Sequence, residues 1–355
     1  MVMQSVFNRL REGCVIPAHP LALTPENRLD ERCQRALTRY YLAAGAGGVA
    51  VGVHTTQFAI HDPKVGLYKP VLELAAQTAS QSAQSGRLES PILVAGLVGD
   101  TSRAVREAQL AVELGYHLGL LSLTALRGKS IDGLIDHTRQ VADVIPVMGF
   151  YLQSAISHMV LPKEFWSKLV EIPNVRAIKI APFNRYQTLD VLEAVAQSGR
   201  RDEISLYTGN DDNIIVDLLT PHVFRTETGE ASLRIVGGLL GQWACWTRRA
   251  VENLDAIKAI HGTGSLVPQE MLTLAGQLTL ANKAIFDADH AFAGCIPGIS
   301  YVVHRQGLMS HIGTLDSADR LSPGQTQQID DVIRHYPHLT DDGFVKANLD
   351  AWLES

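Results

Sequence analysis

Lys179 interrupts the apolar run Val175-Arg176-Ala177-Ile178-Lys179-Ile180-Ala181, near the end of a segment whose composition suits a buried parallel strand. A cation there needs a chemical reason. An amine partly stripped of water loses its proton more readily, and a neutral amine adds to a ketone to give an imine. An ordinary lysine has a pKa of about 10.4, so burial must lower it by roughly 3 units, ~4 kcal/mol, before the free amine persists at neutral pH. Tyr151 ends the preceding apolar run and offers a hydroxyl for moving a proton. The plainer accounts are a strand-end lysine whose stem packs while its ammonium reaches water, and a core tyrosine whose hydroxyl is satisfied by backbone.

Thr55 and Thr56 supply hydroxyls and backbone N–H groups suited to a carboxylate, or else to a turn closed by local side-chain bonds. His54 and His61 are candidate general bases beside them, weighed against ordinary polar loop residues. No compact set of His and carboxylate residues has metal-ligand spacing, so neither a metal nor another cofactor is expected. Gly45-Ala46-Gly47-Gly48 leads into a strand, whereas a phosphate-cradling loop should follow one and open a helix.

Short Val/Ile/Leu-rich runs alternate with amphipathic segments, the pattern of strand-helix units around a parallel sheet. Eight such runs lie near Cys14 to Ala18, Gly48 to Val53, Ile92 to Leu97, Leu118 to Leu123, Pro146 to Tyr151, Val175 to Ile180, Ser205 to Thr208 and Leu233 to Gly238. Helical periodicity fills Asp30 to Ala44, Ser102 to Leu114, Ile131 to Val144 and Pro162 to Glu171. Eight units imply closure into a (β/α)8 TIM barrel over residues 1–262, whose strand carboxyl ends open on the catalytic face. After about Gly262 the chain reads as helices, Pro268 to Asp287, Ile299 to Met309 and Pro323 to His335, so residues 263–355 form a C-terminal helical appendage. The connection Thr220 to Ser232 is longer than a tight helix-to-strand link requires.

With 355 residues, 46% hydrophobic and 19% charged, the chain can bury a large core. Its net charge of -6 gives no general attraction to nucleic acid or to anionic membrane, which leaves small molecules as the expected partners. No secretory signal or membrane-length apolar run is visible, and a cytoplasmic location is expected. Cys14, Cys33, Cys245 and Cys295 form no C-x-x-C pair and read as reduced structural thiols.

These residues resemble the dihydrodipicolinate synthase and N-acetylneuraminate lyase family of class I, Schiff-base aldolases. Ala177-Ile178-Lys179 is similar to the strand bearing the imine-forming lysine, and Tyr151 stands at the family's tyrosine-to-lysine spacing. His54-Thr55-Thr56-Gln57-Phe58 resembles the Gly-Thr-Thr-Gly-Glu loop, and Tyr207-Thr208-Gly209-Asn210-Asp211-Asp212 resembles the turn after the seventh strand. The likeness implies that Lys179 forms the imine, Tyr151 transfers protons, and Thr55 and Thr56 hold the carboxylate of a 2-keto acid. It further implies that Gly209, Asp211 and Asp212 line the substrate, although the two aspartates equally suit a cap for the run Ile214 to Leu219. A homo-oligomer, tetramer or dimer, is implied as well.

The pattern breaks on one side. Where the synthases carry paired tyrosines after the fourth strand this chain has Ala125 and Leu126, and Leu152-Gln153-Ser154-Ala155-Ile156-Ser157 lacks the arginine that holds the aldehyde's carboxylate. Gln57 and Phe58 replace glycine and glutamate. The expectation is retained imine chemistry on an altered aldehyde, with lysine biosynthesis set aside. A dehydratase or hydratase-aldolase of a sugar acid or aromatic intermediate, and a keto-acid-binding protein without turnover, are the alternatives.

Overall fold

Runs of Val, Ile, Leu, Ala and Gly buried from end to end become the strands, as expected where both faces of a parallel sheet are covered. The computed structural model describes residues 2–84 and 90–354. Its strands are β1 (Val15–Pro17), β2 (Gly48–Val51), β3 (Ile92–Leu97), β4 (Leu118–Leu121), β5 (Val147–Leu152), β6 (Val175–Ala181), β7 (Ser205–Thr208), β8 (Pro221–Thr226), β9 (Gly229–Arg234) and β10 (Gly237–Leu240). Eight of them, β1 to β7 and β10, are the parallel strands of a (β/α)8 barrel with a C-terminal helical appendage.

Contacts divide the chain into two compact units, Met1–Cys14 with Val94–Leu239, and Val15–Leu93 with Leu240–Ser355. In the first, strands follow the order β10-β7-β6-β5-β4-β3. Their helices start at side-chain caps: Asp100 accepts from Arg103 N–H at 2.9 Å, Ser130 from Gly133 N–H at 3.2 Å, and Asn184 from Tyr186 N–H at 3.0 Å. In the second unit, Ala18 bridges Ala50 in parallel, and Asp30 caps helix Glu31–Ala43 by accepting from Cys33 N–H at 3.0 Å. That helix is clasped by the C-terminal one, Asp342–Leu353. Tyr40 donates to Asp341 Oδ2 at 2.7 Å, and Arg39 donates to Trp352 O at 2.7 Å. No helix among the described residues is long and apolar enough to cross a membrane.

Two expectations need correction. Residues 233–238 are not the eighth barrel strand: Leu233 and Arg234 end β9, and β10 begins only at Gly237. The long connection is an antiparallel hairpin, β8 with β9, in which Thr226 faces Gly229 and Leu233 faces His222. Its alternating exposure, with Ala231 and Leu233 turned inward, is the half-buried period of two rather than a continuous apolar run. The helix Asp342–Leu353 was not anticipated, because its opening Asp-Asp-Gly reads as a loop.

Candidate active site

Gly149 identifies the two faces of β5. A Cβ there would lie 2.8 Å from Leu169 and 3.8 Å from Trp166, both on helix Lys163–Leu169, so the odd-numbered residues of β5 face the helices. Phe150 therefore turns the other way, into the barrel. In register it stands beside Lys179 of β6, which in turn stands beside Tyr207 of β7. Lys179 is 8% exposed, and its Nζ lies 4.5 Å from the Phe150 ring centroid. Its stem is confined by Gly209, since a Cβ there would come within 2.6 Å of Lys179 Cε and 2.7 Å of Ala181 Cβ. Any larger residue at 209 would displace the lysine. The resemblance assigns Gly209 to the substrate; in the structure it lies against the stem of Lys179.

Tyr151 is not brought to the lysine. It pairs with Ile180 on the helix-facing side, packs on Trp166 with ring centroids 5.1 Å apart, and accepts a hydrogen bond from Leu161 N–H at 3.3 Å. Burial pushes its phenol up to about 12, opposed by the Leu161 contact. The cause is one extra residue in β6. Val147 pairs with Val175 but Met148 pairs with Ala177, so Arg176 is skipped. An unbroken register would set Tyr151 opposite Lys179; the bulge puts Phe150 there instead. The plainer account of Tyr151, a core ring with its hydroxyl on backbone, fits this placement.

Among the hydroxyls that share the face of Lys179, those of Ser205 and Tyr207 lie in register with the lysine's strand, Tyr207 donating to Leu10 O at 3.0 Å, and Ser122 is a third. Leu120 pairs with Met148 and Leu121 with Gly149, so alternation returns Ser122, just past β4, to the side of Phe150. Its amide still bonds Leu97 O at 2.9 Å, and its hydroxyl meets that of Thr124. Nothing in the sequence singled it out.

Asp217 was also missed, although it breaks the apolar run Ile214 to Leu219 as Lys179 breaks its own. Its carboxylate is buried, pairs with Arg185, and accepts from Thr208 Oγ1 at 2.6 Å and from Asn210 and Asn213 Nδ2, both at 2.9 Å. Asn210 Oδ1 accepts in turn from Phe183 N–H at 3.0 Å, where the backbone takes φ +54°. The turns leaving β6 and β7 are thus pinned to one carboxylate, which holds Gly209 against the lysine. Asp211 is buried and Asp212 exposed on that turn; the helix Ile214–Leu219 takes Asn213 as its N-cap residue, so neither aspartate occupies the capping position.

In the second unit, Thr56 is committed to its own loop. It donates to His19 O at 2.7 Å and accepts from Gly52 and Val53 N–H at 3.0 and 3.3 Å. His19 is itself fixed, with Nε2 2.9 Å from Thr38 Oγ1 and Nδ1 2.9 Å from Gln34 Nε2, and burial holds its pKa down to about 4. Thr56 therefore shapes the turn, and the Thr55 hydroxyl has no such bond among the described residues. Gln57 keeps the backbone that glycine favours, φ +69°, and its Oε1 accepts from Leu315 N–H at 2.7 Å. His61 is buried with Nε2 2.7 Å from Gly52 O, a structural role, while His54 lies 5.6 Å ring to ring from Phe58. Among the described residues no three His, Cys, Asp or Glu side chains are grouped to hold a metal.

No family model matches the chain. A curated 4-hydroxy-tetrahydrodipicolinate synthase of Symbiobacterium thermophilum is 24% identical over 284 residues, 76% of this chain and 88% of the relative. The protein of the same name from Caldicellulosiruptor bescii is 34% identical over 128 residues, 35% of this chain and 41% of its own. Among solved structures, YagE of E. coli K12, a prophage protein of the dihydrodipicolinic acid synthase family in complex with pyruvate, matches with a TM-score of 0.71 at 16% identity, covering 91% of this chain and 98% of that one. The class is thus a (β/α)8 barrel with appended helices, shared with solved structures named as dihydrodipicolinate synthases. The chain is similar in sequence to the curated 4-hydroxy-tetrahydrodipicolinate synthases and shares the fold of the solved structures of that name.

Proposed function

We propose that this chain is a class I aldolase-type lyase that forms an imine between Lys179 and pyruvate or another 2-keto acid, then makes or breaks the adjoining aldol bond. The observation that carries this reading is Lys179 itself, nearly buried at the carboxyl end of β6 between an aromatic ring and a glycine that leaves room for its stem. Its Nζ adds to the keto carbon, the keto oxygen leaves as water, and the imine accepts the electron pair released when a neighbouring C–C or C–H bond breaks. Ser122, on the same face, is the hydroxyl that moves the proton, in place of Tyr151. Thr55 is the residue of the loop pair with a hydroxyl left to give a substrate carboxylate. Asp211 and Asp212 are assigned to substrate hydroxyls.

The aldehyde differs from that of the lysine-biosynthetic synthase. Ala125 and Leu126 form part of a short helix after β4, and no arginine follows β5, so a second carboxylate has no cation in that stretch. The curated relatives' name favours a second reading, the synthase itself, and faster condensation of pyruvate with aspartate semialdehyde than with uncharged aldehydes would decide for it. Product analysis separates a dehydratase, which releases no pyruvate. We assign the chain to the cytoplasm, to self-association, and to a division into a barrel of residues 1–262 and a helical part of 263–355. Pyruvate followed by borohydride should leave a stable mass adduct on Lys179; saturable binding without any adduct would replace the lyase by a keto-acid-binding protein.

A further inference from the structure

Two neighbours of different kinds hold Lys179. Gly209 leaves no room for a larger residue beside its stem, since a Cβ there would meet Lys179 Cγ at 3.1 Å as well as Cε. The ring of Phe150 faces the amine itself, its centroid 4.5 Å from Nζ. Backbone pairing fixes that ring in place, because Phe150 is the register partner of Lys179 and only 6% exposed. The face of an aromatic ring carries the negative lobe of its quadrupole, so at this distance it attracts a cation and does nothing comparable for a neutral amine. Burial strengthens the attraction, since little water is left to compete for the charge.

That preference bears on imine chemistry. The neutral amine, its extra proton given to solvent, donates its lone pair to the keto carbon while the carbonyl π pair moves to oxygen, which takes a proton from Nζ. A second proton, from solvent, lets this oxygen leave as water as the nitrogen pair closes the C=N bond. Ammonium and ketone thus become iminium and water, with one positive charge on nitrogen at both ends. The iminium is the form that draws in the electron pair of a breaking C–C or C–H bond, and an imine is a weaker base than its parent amine, so this proton is easily lost. A ring face holds the cation without asking for a particular N–H direction, and Nζ can flatten from tetrahedral to planar above it.

We infer that Phe150 is a catalytic residue whose face seats the positive charge on Nζ, first as ammonium and then as iminium, and so keeps the Schiff base protonated while the neighbouring bond breaks. This rests on the lyase reading and adds the group that stabilises its charged intermediate. The titratable groups on the neighbouring elements are Tyr207 on β7, with Cys14 Sγ 3.4 Å from its hydroxyl, Asp211 and Asp212 on the turn that follows, and Asp217 paired with Arg185. Burial pushes Tyr207 well above its ordinary range and raises Asp212. None of these is altered by a change confined to the electrons of the Phe150 ring.

Replacing Phe150 in the full chain by mono-, di- and trifluorophenylalanine makes that change, weakening the face in steps at nearly constant shape. Trideuteropyruvate is the probe, and loss of its label to water reports C–H cleavage through the imine. As the face weakens, the free amine appears at lower pH and the iminium gives up its proton at lower pH. The acid limb of kcat/KM, set by the free lysine, and the alkaline limb of kcat, set by the imine, should therefore both move toward acid, by about one pH unit across the series. Phe150→Leu, which removes the face, should move them at least as far, and the fluorinated chains decide the matter if that variant loses stability. Limbs that stay in place while label is still lost, or that move apart, would overturn the inference and leave the lyase reading standing. A wild-type chain with neither label loss nor a borohydride-trapped Lys179 adduct would overturn both.

Discussion

β5 and β6 lie side by side, are both buried along nearly their whole length, and each carries near its end a residue capable of chemistry, yet they present it to opposite sides. Lys179 faces into the barrel beside Phe150 and Gly209, whereas Tyr151 faces helix Lys163–Leu169 and gives its oxygen to the Leu161 amide. A strand has a period of two, so one unmatched residue exchanges the inward and outward sets. Here that residue is Arg176. Proximity on adjacent strands is therefore no guarantee of cooperation; the face decides.

The strongest challenge to the inward side is removal of its amine. Lys179→Ala should abolish the borohydride-trapped adduct and lower kcat/KM by about a thousandfold or more, ~4 kcal/mol of transition-state stabilisation. Turnover that survives at wild-type rate would show that the inward face is not where the chemistry happens.

Next is the carboxylate that fixes that face from behind. Asp217→Ala leaves Arg185 and the donors of Thr208, Asn210 and Asn213 without their shared acceptor. Arg185 is half exposed and can turn to water, so the cost comes from the buried donors left without an acceptor, about 1–3 kcal/mol, read as a lower urea midpoint. A shift well under 1 kcal/mol would mean that the turns around Gly209 are held by something else.

Ser122→Ala probes the hydroxyl that replaces Tyr151 in this scheme. It should lower kcat by about a hundredfold, the lower end for general acid–base groups, while Lys179 still forms its adduct. An unchanged kcat would leave the inward face without its proposed proton carrier.

How much of this was legible depends on whether the signal is local. A lysine inside Val175 to Ala181 announces itself, and so did the β/α alternation, because continuous apolar runs and capped helices are read within a few residues. Asp217 gives the same kind of signal inside Ile-Ile-Val-Asp-Leu-Leu, but its partners Thr208, Asn210 and Arg185 are brought to it only by the fold. The orientation of Tyr151 was not legible. It depends on a register irregularity between two strands, and neither strand's composition shows where the extra residue lies. The hairpin of β8 and β9 was hidden for a related reason: its half-buried alternation is not the signature of a barrel strand, so its end was merged with β10.

The smallest expected effect is the most informative about the comparison. Tyr151→Phe keeps the ring on Trp166 and removes only the oxygen that accepts from Leu161 N–H. Stability should fall by about 0.5–1.5 kcal/mol, the net worth of one hydrogen bond, seen as a modest drop in Tm. Because the hydroxyl lies on the helix side of the sheet, kcat and the rate of adduct formation should stay near wild type. In a site where the tyrosine relays protons to the imine, the same change would instead cost at least a hundredfold in kcat with little loss of stability. The two outcomes move opposite observables, so one thermal melt and one progress curve on this variant determine whether the bulge at Arg176 has removed Tyr151 from the chemistry.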